Sequence, residues 1–369
     1  MKENKISNYI YHTGRILFGL VFIFSGFVKA VDPLGLTYKL QDYFTSFGGL
    51  FLQLSDSALV LAILLSTIET VIGLNLVFGI KVRFTAIIAL LFMLVMTPLT
   101  LYIAIYNPVS DCGCFGDAIK ITNWQTFIKN IILLPVIITV LITYGKKRSH
   151  FVAPLEITAI LLFSAFGTGI SVYAYRHLPQ IDFLPYKTGT NIAEAMFIPE
   201  NANMDEYMTT FIYEKEGVQK EFTLDNYPKD DSTWVFVDQK TTLIKEGYQP
   251  PIHNFNIYNK LDEDIVPDII DYTGYTYILV MYDLNKASVE GAQLAQKIYN
   301  RYKHSSTRFY AVTASGEADM AALSKKTGTN LPYYKADPIT LKTIIRANPG
   351  LVLIKNGTIT GKWNWRDFE

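Results

Sequence analysis

Five long apolar runs crowd the first half of the chain, at residues 10–31, 58–80, 84–106, 127–144 and 151–175. A helix crosses the hydrocarbon core of a bilayer with about 20 mostly apolar residues. Charges inside the runs are few and placed unevenly. Arg15 and Lys29 lie in the first, Glu69 in the second, Lys129 near the start of the fourth and Glu156 near the start of the fifth. The third has none, although Pro98 lies inside it. Backbone polar groups in lipid must pair within the segment, so each run is expected to be a helical span. The first run is longer than the apolar core of a signal peptide and no small-x-small site follows it, so it reads as a retained span.

Composition divides the chain at the same place. Charged residues make up 18% of the 369, against about a quarter in soluble globular chains. Residues 1–180 carry 13 Lys or Arg and 8 Asp or Glu, while residues 181–369 carry 20 and 25. The net charge of zero is therefore a cancellation between a sparse, basic half and a charge-rich, acidic one. A disordered chain, a disulfide-dense scaffold and a basic nucleic-acid binder are excluded. The lipid bilayer is the first expected partner, and nucleic acid is not one.

Loop charges set the expected orientation, because Lys and Arg accumulate on the cytoplasmic side. Lys2, Lys5 and Arg15 precede or enter the first run, Lys81 and Arg83 join the second to the third, and Lys146, Lys147 and Arg148 join the fourth to the fifth. The alternate loops carry Asp32, Asp42, Asp56, Asp111 and Asp117, with Lys39 and Lys120 as their bases. The N-terminus is thus expected in the cytoplasm, with the loops at 32–57 and 107–126 and everything after Tyr175 outside.

The chain has two cysteines, Cys112 and Cys114, in the outer run Asp111-Cys112-Gly113-Cys114-Phe115-Gly116-Asp117. An oxidising compartment favours their pairing. Closure between positions i and i+2 makes a very small ring, for which Gly113 supplies backbone freedom. A strained, exposed bond of this kind is labile or catalytic. A static staple, or thiols that never pair, remains open. So does a metal site, although two Cys with nearby Asp and no adjacent His form an incomplete set for zinc. Ionisable residues within spans are functional hypotheses in their own right. Glu69 is expected to face the bundle interior with a cationic partner, for which Lys29 and Arg15 are the candidates; Lys29 could also snorkel to the interface and Arg15 could serve only as a topology signal.

These residues carry a family resemblance. The run Arg15-Ile16-Leu17-Phe18-Gly19, the run Phe24-Ser25-Gly26-Phe27-Val28-Lys29-Ala30-Val31-Asp32-Pro33 and the second-span run Glu69-Thr70-Val71-Ile72-Gly73 resemble the DoxX family of small four-helix membrane proteins. Cys112-Gly113-Cys114-Phe115-Gly116-Asp117, ahead of the fourth span, resembles the related MauE group of redox-associated membrane proteins. The resemblance covers about residues 10–145. It implies a four-helix bundle in a bacterial inner membrane with a quinone- or thiol-linked role, supporting sulfur oxidation or maturation of an exported partner. It carries over onto Arg15, Lys29, Asp32, Glu69, Cys112 and Cys114. The fifth span and the long tail depart from the short form of the family.

The second half reads as strands and helices. Residues 211–224 form a hairpin pattern around Glu216-Gly217, and 234–238 a short strand, with breaks at Tyr227-Pro228-Lys229-Asp230-Asp231 and Gln249-Pro250-Pro251. From residue 253 the order is strand 277–282, helix 287–302, strand 308–313, helix 317–326, strand 350–354, an Asn356-Gly357 turn and strand 358–363. That order suggests an α/β domain on a mixed sheet, and it resembles a thioredoxin-like domain over about residues 253–369. Asn348-Pro349 matches that family's cis-proline position, and the resemblance implies a groove able to hold an extended peptide through its backbone; the alternative is a proline that only shapes a turn. Where the family places Cys-x-x-Cys, this chain has Asp283-Leu284-Asn285-Lys286-Ala287-Ser288, and no cysteine follows Cys114. Thiol exchange by the tail alone is therefore excluded. Trp363 and Trp365 near its end are expected to be packed.

The expected architecture is an α-helical membrane bundle, with a four-helix DoxX-like core at 1–150 and a fifth span at 151–180. A strand-containing linker at 181–252 and a periplasmic thioredoxin-like domain at 253–369 follow. Three functions fit it: a redox component passing electrons between Cys112/Cys114 and an exported thiol partner, with quinone near Glu69; a non-enzymatic adaptor that binds an exported client through the tail; or a small transporter with Glu69 as relay. The last is disfavoured by the lack of an inverted repeat or paired half-helices.

Overall fold

The computed structural model describes residues 5–109, 111–144, 152–229, 231–245 and 247–368. The basic cluster Lys146–Arg148, with His150, lies outside the described residues, as do Lys2 and Asp230. Two compact units are present: residues 1–189 with 256–369, and residues 190–255.

Among the described residues, five helices are long and apolar enough to cross a membrane. They are α1 (Lys5–Val31), α3 (Ala58–Phe78), α4 (Val82–Tyr106), α5 (Asn123–Tyr144) and α6 (Ala153–Arg176). Four of them, α1, α3, α4 and α5, share a core of Phe18, Phe22, Ile72, Leu76, Met93, Leu133 and Ile137, all buried. Outward faces are apolar as well, as at Leu64, Leu91 and Ile132, which is what lipid-facing helices require. Two polar contacts help seat α6: Ser171 lies 3.3 Å from Ser66, and Thr168 lies 3.2 Å from Thr67.

The segment between the first two spans is not the loop that the charge pattern suggested. It forms α2 (Pro33–Phe47) and a 3₁₀ segment, Gly49–Ser57. Asp32 caps α2, accepting from the Gly35 amide at 2.9 Å, and Pro33 opens it. Proline costs nothing at that position because the first-turn amides have no partner within the helix. The apolar side chains Leu50, Phe51, Leu52 and Leu54 of the 3₁₀ segment stand exposed.

Residues 256–369 form a mixed sheet in the order β6-β5-β4-β7-β8. Its strands are β4 (Tyr275–Val280), β5 (Arg308–Thr313), β6 (Tyr333–Lys335), β7 (Gly350–Lys355) and β8 (Thr358–Asn364). β4, β5 and β6 run parallel, and β7 and β8 complete the sheet antiparallel. The central strand β4 is buried at Ile278, Leu279 and Val280, so it reads as an unbroken apolar run. Helices α9 (Val289–Tyr302), α10 (Glu317–Thr327) and α11 (Pro338–Ile344) accompany the sheet, after a short α8 (Val266–Ile270). The Asn348–Pro349 peptide bond is cis.

The second unit holds a short helix, α7 (Ile192–Met196), and an antiparallel sheet, β2-β1-β3. Its strands are β1 (Glu206–Lys215), β2 (Val218–Thr223) and β3 (Val235–Lys245). Tyr213, Phe222, Trp234 and Phe236 meet edge to face on it, with ring centroids 5.1–5.8 Å apart. The third strand is longer than the sequence pattern suggested.

Candidate functional site

Two spans approach closely enough to build a polar centre inside the bundle. A Cβ on Gly26 of α1 would stand 2.6 Å from the Thr70 amide nitrogen, and one on Gly73 of α3 would stand 2.6 Å from the Ile23 nitrogen. No side chain fits at either point, so the two backbones touch. That contact sets Lys29 of α1 on Glu69 of α3, with Nζ 2.6 Å from Oε1 and 2.8 Å from Oε2. Both side chains are 5% exposed or less. Lys29 is therefore inside the bundle and does not snorkel. Desolvating two charges is costly, and a pair at this depth is weak evidence for stability alone.

Ser25 connects this pair to the cysteines. Its hydroxyl lies 2.7 Å from Glu69 Oε2 and 2.8 Å from the Cys114 carbonyl oxygen, and Lys29 donates to it at 3.2 Å. One hydroxyl proton serves two acceptors, so it goes to the carboxylate or to the backbone of the cysteine loop.

The loop is fixed from both sides. Tyr43 of α2 donates to the Cys112 carbonyl at 3.0 Å. Asp111 accepts from the Gly113 amide at 2.9 Å and pairs with Lys39 of α2 at 2.7 Å. Gly113 and Gly116 take φ values of 67° and 52°, where glycine carries no Cβ penalty. The two sulfurs lie 3.2 Å apart as free thiols. Both cysteines are buried, at 7% and 5% exposed. This corrects the expectation of an exposed pair: Leu40, Tyr43 and Phe47 of α2, read as loop, and Leu99 and Ile103 of α4 pack against them.

Burial and mutual contact make the two thiols unlike. The Cys112 hydrogen bond holds Cys114 below the ordinary thiol range, against the opposing effect of burial, and the ammonium groups of Lys129 and Lys29 add to the lowering. The same bond and burial push Cys112 up. Of the two sulfurs, Cys114 is therefore the one favoured as thiolate.

The interior around Ser25, Lys29, Glu69, Cys114, Lys129 and Asn130 leaves a cavity of about 20 Å³. That holds a water molecule, whereas an aromatic ring needs on the order of 150 Å³. The residues near Glu69 do not make room for a quinone ring in this arrangement.

Asp32 belongs to a different cluster. Arg346, 7% exposed, lies 2.9 Å from Asp32 and 3.2 Å from Asp117 of the cysteine loop. Tyr38 and Tyr282 meet through their hydroxyls at 3.0 Å beside it. The α/β domain thus docks on α2 and on the cysteine loop. Asn348 donates to the Asp283 carbonyl at 2.6 Å, and its Oδ1 is buried without a hydrogen-bond partner. The Pro349 carbonyl accepts from Trp365. Asn348 lines a cleft together with Leu34, Thr37 and Tyr38 of α2. Arg15 joins neither cluster; its guanidinium stands 5.7 Å from the centre of the Tyr11 ring. Sequence reasoning missed Ser25, Tyr43 and Arg346. Ser25 lies four residues before Lys29, one helical turn along the same face, and that spacing was a usable signal.

A multi-pass helical membrane protein with a mixed α/β domain is the class that these features define. Residues 7–143 match the family model for methylamine utilisation protein MauE, so the chain carries a MauE family region. Residues 207–246 match a family described as a domain of unknown function (DUF8463). No curated protein and no solved structure matches the chain.

Proposed function

We propose that this protein is a membrane thiol–disulfide component in which Cys112 and Cys114 exchange with an exported thiol protein. The observation that carries the reading is the 3.2 Å sulfur pair, tied through the Cys114 backbone and Ser25 to a buried Lys29–Glu69 pair. A static staple needs no ion pair beneath it, and intramembrane ionisable groups mark function by default.

In the reducing direction, the Cys114 thiolate attacks a partner disulfide and forms a mixed disulfide. One partner sulfur leaves as thiolate. Cys112 gives up its proton and displaces the second partner sulfur. The partner leaves with two sulfurs reduced and one proton taken up, and the Cys112–Cys114 bond holds the two electrons' worth of oxidation. The reverse sequence oxidises a partner dithiol. Lys29 and Lys129 stabilise the negative sulfur in both directions, and Glu69 keeps the Lys29 ammonium in place.

The α/β domain supports this reading as a docked cap. Its strand order supports a thioredoxin-like ancestry, and on this reading the domain, which carries no cysteine, serves to recognise the partner. The alternating basic loops favour a cytoplasmic N-terminus and a periplasmic domain in a bacterial inner membrane. The second reading is a non-enzymatic adaptor, favoured by the absence of any cysteine after Cys114. The two are separated by trapping: with Cys112→Ala, the thiol reading expects a mixed disulfide between Cys114 and an exported partner. A trapped partner supports exchange; its absence, with client binding intact, supports the adaptor.

A further inference from the structure

Between α2 and the α/β domain lies a cleft of about 330 Å³ that the thiol reading does not use. Its lining includes Leu59, the second residue of α3, and Tyr175, the last but one of α6. Leu34, Thr37 and Tyr38 of α2 border it as well. Helices α3 and α6, both apolar enough to cross a membrane, therefore begin and end at its rim, a position that matches the depth at which spans leave the hydrocarbon. Leu50, Phe51 and Leu52, between α2 and α3, are exposed apolar side chains of the kind that rest against lipid.

The charges in the cleft are not balanced. Arg346 is matched by Asp32 and Asp117, and Lys286 stands 3.6 Å from Asp283. Lys342 and Arg366 have no carboxylate partner among the described residues. Lys342 sits 4.7 Å from the centre of the Tyr38 ring and 6.0 Å from that of Tyr282. Arg366 sits 4.3 Å from the centre of the Trp365 ring and 5.6 Å from that of Tyr175. Aromatic faces position a cation without neutralising it. Two held, uncompensated cations at headgroup depth, with aromatic walls beside them, define an acceptor for a phosphate.

We infer that this cleft is a phosphate site, filled by the headgroup of an anionic lipid, with Lys342 and Arg366 as its ligands. The lipid completes the seat of the α/β domain on the membrane surface. The inference goes beyond the thiol reading and does not depend on it.

The test uses the full-length protein in detergent, incubated with equal amounts of phosphatidylglycerol and phosphatidylcholine and examined by native mass spectrometry. Two cations near an anionic headgroup should favour phosphatidylglycerol by about tenfold or more. Lys342→Gln with Arg366→Gln should abolish the preference while retaining phosphatidylcholine as before, and Lys342→Arg with Arg366→Lys should keep it. Loss of bound phosphatidylglycerol on adding millimolar inorganic phosphate would support the phosphate site with the free ion as a second source. Retention would support the lipid as its occupant. No preference in the wild-type protein, or an undiminished one in the Gln pair, overturns the inference.

Discussion

Arg346 lies 3.2 Å from Asp117, 229 residues earlier in the chain and three residues past Cys114. The contact joins the α/β domain directly to the cysteine loop. Arg346 also engages Asp32 through both carboxylate oxygens, at 2.9 and 3.1 Å. A single guanidinium thus holds the start of α2, the end of α1 and the cysteine loop in one arrangement. Arg346→Ala leaves two partly buried carboxylates facing each other. Truncating one partner of a buried pair costs roughly 3–5 kcal/mol, and the partial exposure of Asp117 sets the expected value at the lower end. Limited proteolysis should show the α/β domain released from the bundle. An unchanged digestion pattern would remove Arg346 as the latch.

The Lys29–Glu69 pair should behave as a unit. Lys29→Met strands Glu69 in the bundle and should cost about 3–5 kcal/mol, whereas Lys29→Met with Glu69→Leu should recover most of it. Unfolding of the reconstituted protein measures both. Thiol exchange should fail in either case, because the double variant restores packing and not charge. Stability without activity is the signature that separates function from structure here.

The pH dependence of alkylation should distinguish the two sulfurs. Cys114 is held below the ordinary thiol range, so its thiolate should persist as pH falls past the point where a free cysteine becomes protonated. Its reactivity should disappear only below its own depressed pKa. Cys112→Ala removes the hydrogen bond that contributes most to the lowering, and Lys129→Met removes a nearby cation, so both should move the inflection up. A profile unaltered by either change would mean that the contact between the sulfurs does not set the chemistry.

Helix approach is the third dependency. Gly26→Val places side-chain atoms where the Thr70 backbone already stands. Overpacking of this kind costs about 1–3 kcal/mol, and it should also separate Lys29 from Glu69. Cysteine pairs placed across α1 and α3 should cross-link less efficiently in this variant. Unchanged cross-linking would show that the helices have slack.

The parts of this protein governed by local pattern were legible in its sequence. The spans followed from apolar length, the hairpin from its Glu216-Gly217 turn, and most strands of the α/β domain from short apolar runs and the Asn356-Gly357 turn. What was not legible depends on contacts between distant residues. Helix α2 is short and carries Lys39, Gln41 and Asp42, so hydropathy passed over it, although Asp32-Pro33 is a helix-start signal. Strand β6 has three residues, too few for any period to register. Arg346 carries no local signal in the sequence, because its partners lie 229 and 314 residues away. Burial of the two cysteines depended on α2 and could not be read without it.

The central claim is tested most directly by the redox state of Cys112 and Cys114 in the cell. Thiols are trapped with acid, alkylated with a mass tag and resolved before and after a brief pulse of reductant. A cycling pair gives a mixed population that is reduced by the pulse and returns quickly to its starting ratio. A pair that stays fully oxidised through the pulse, or thiols that stay free throughout, would contradict the claim.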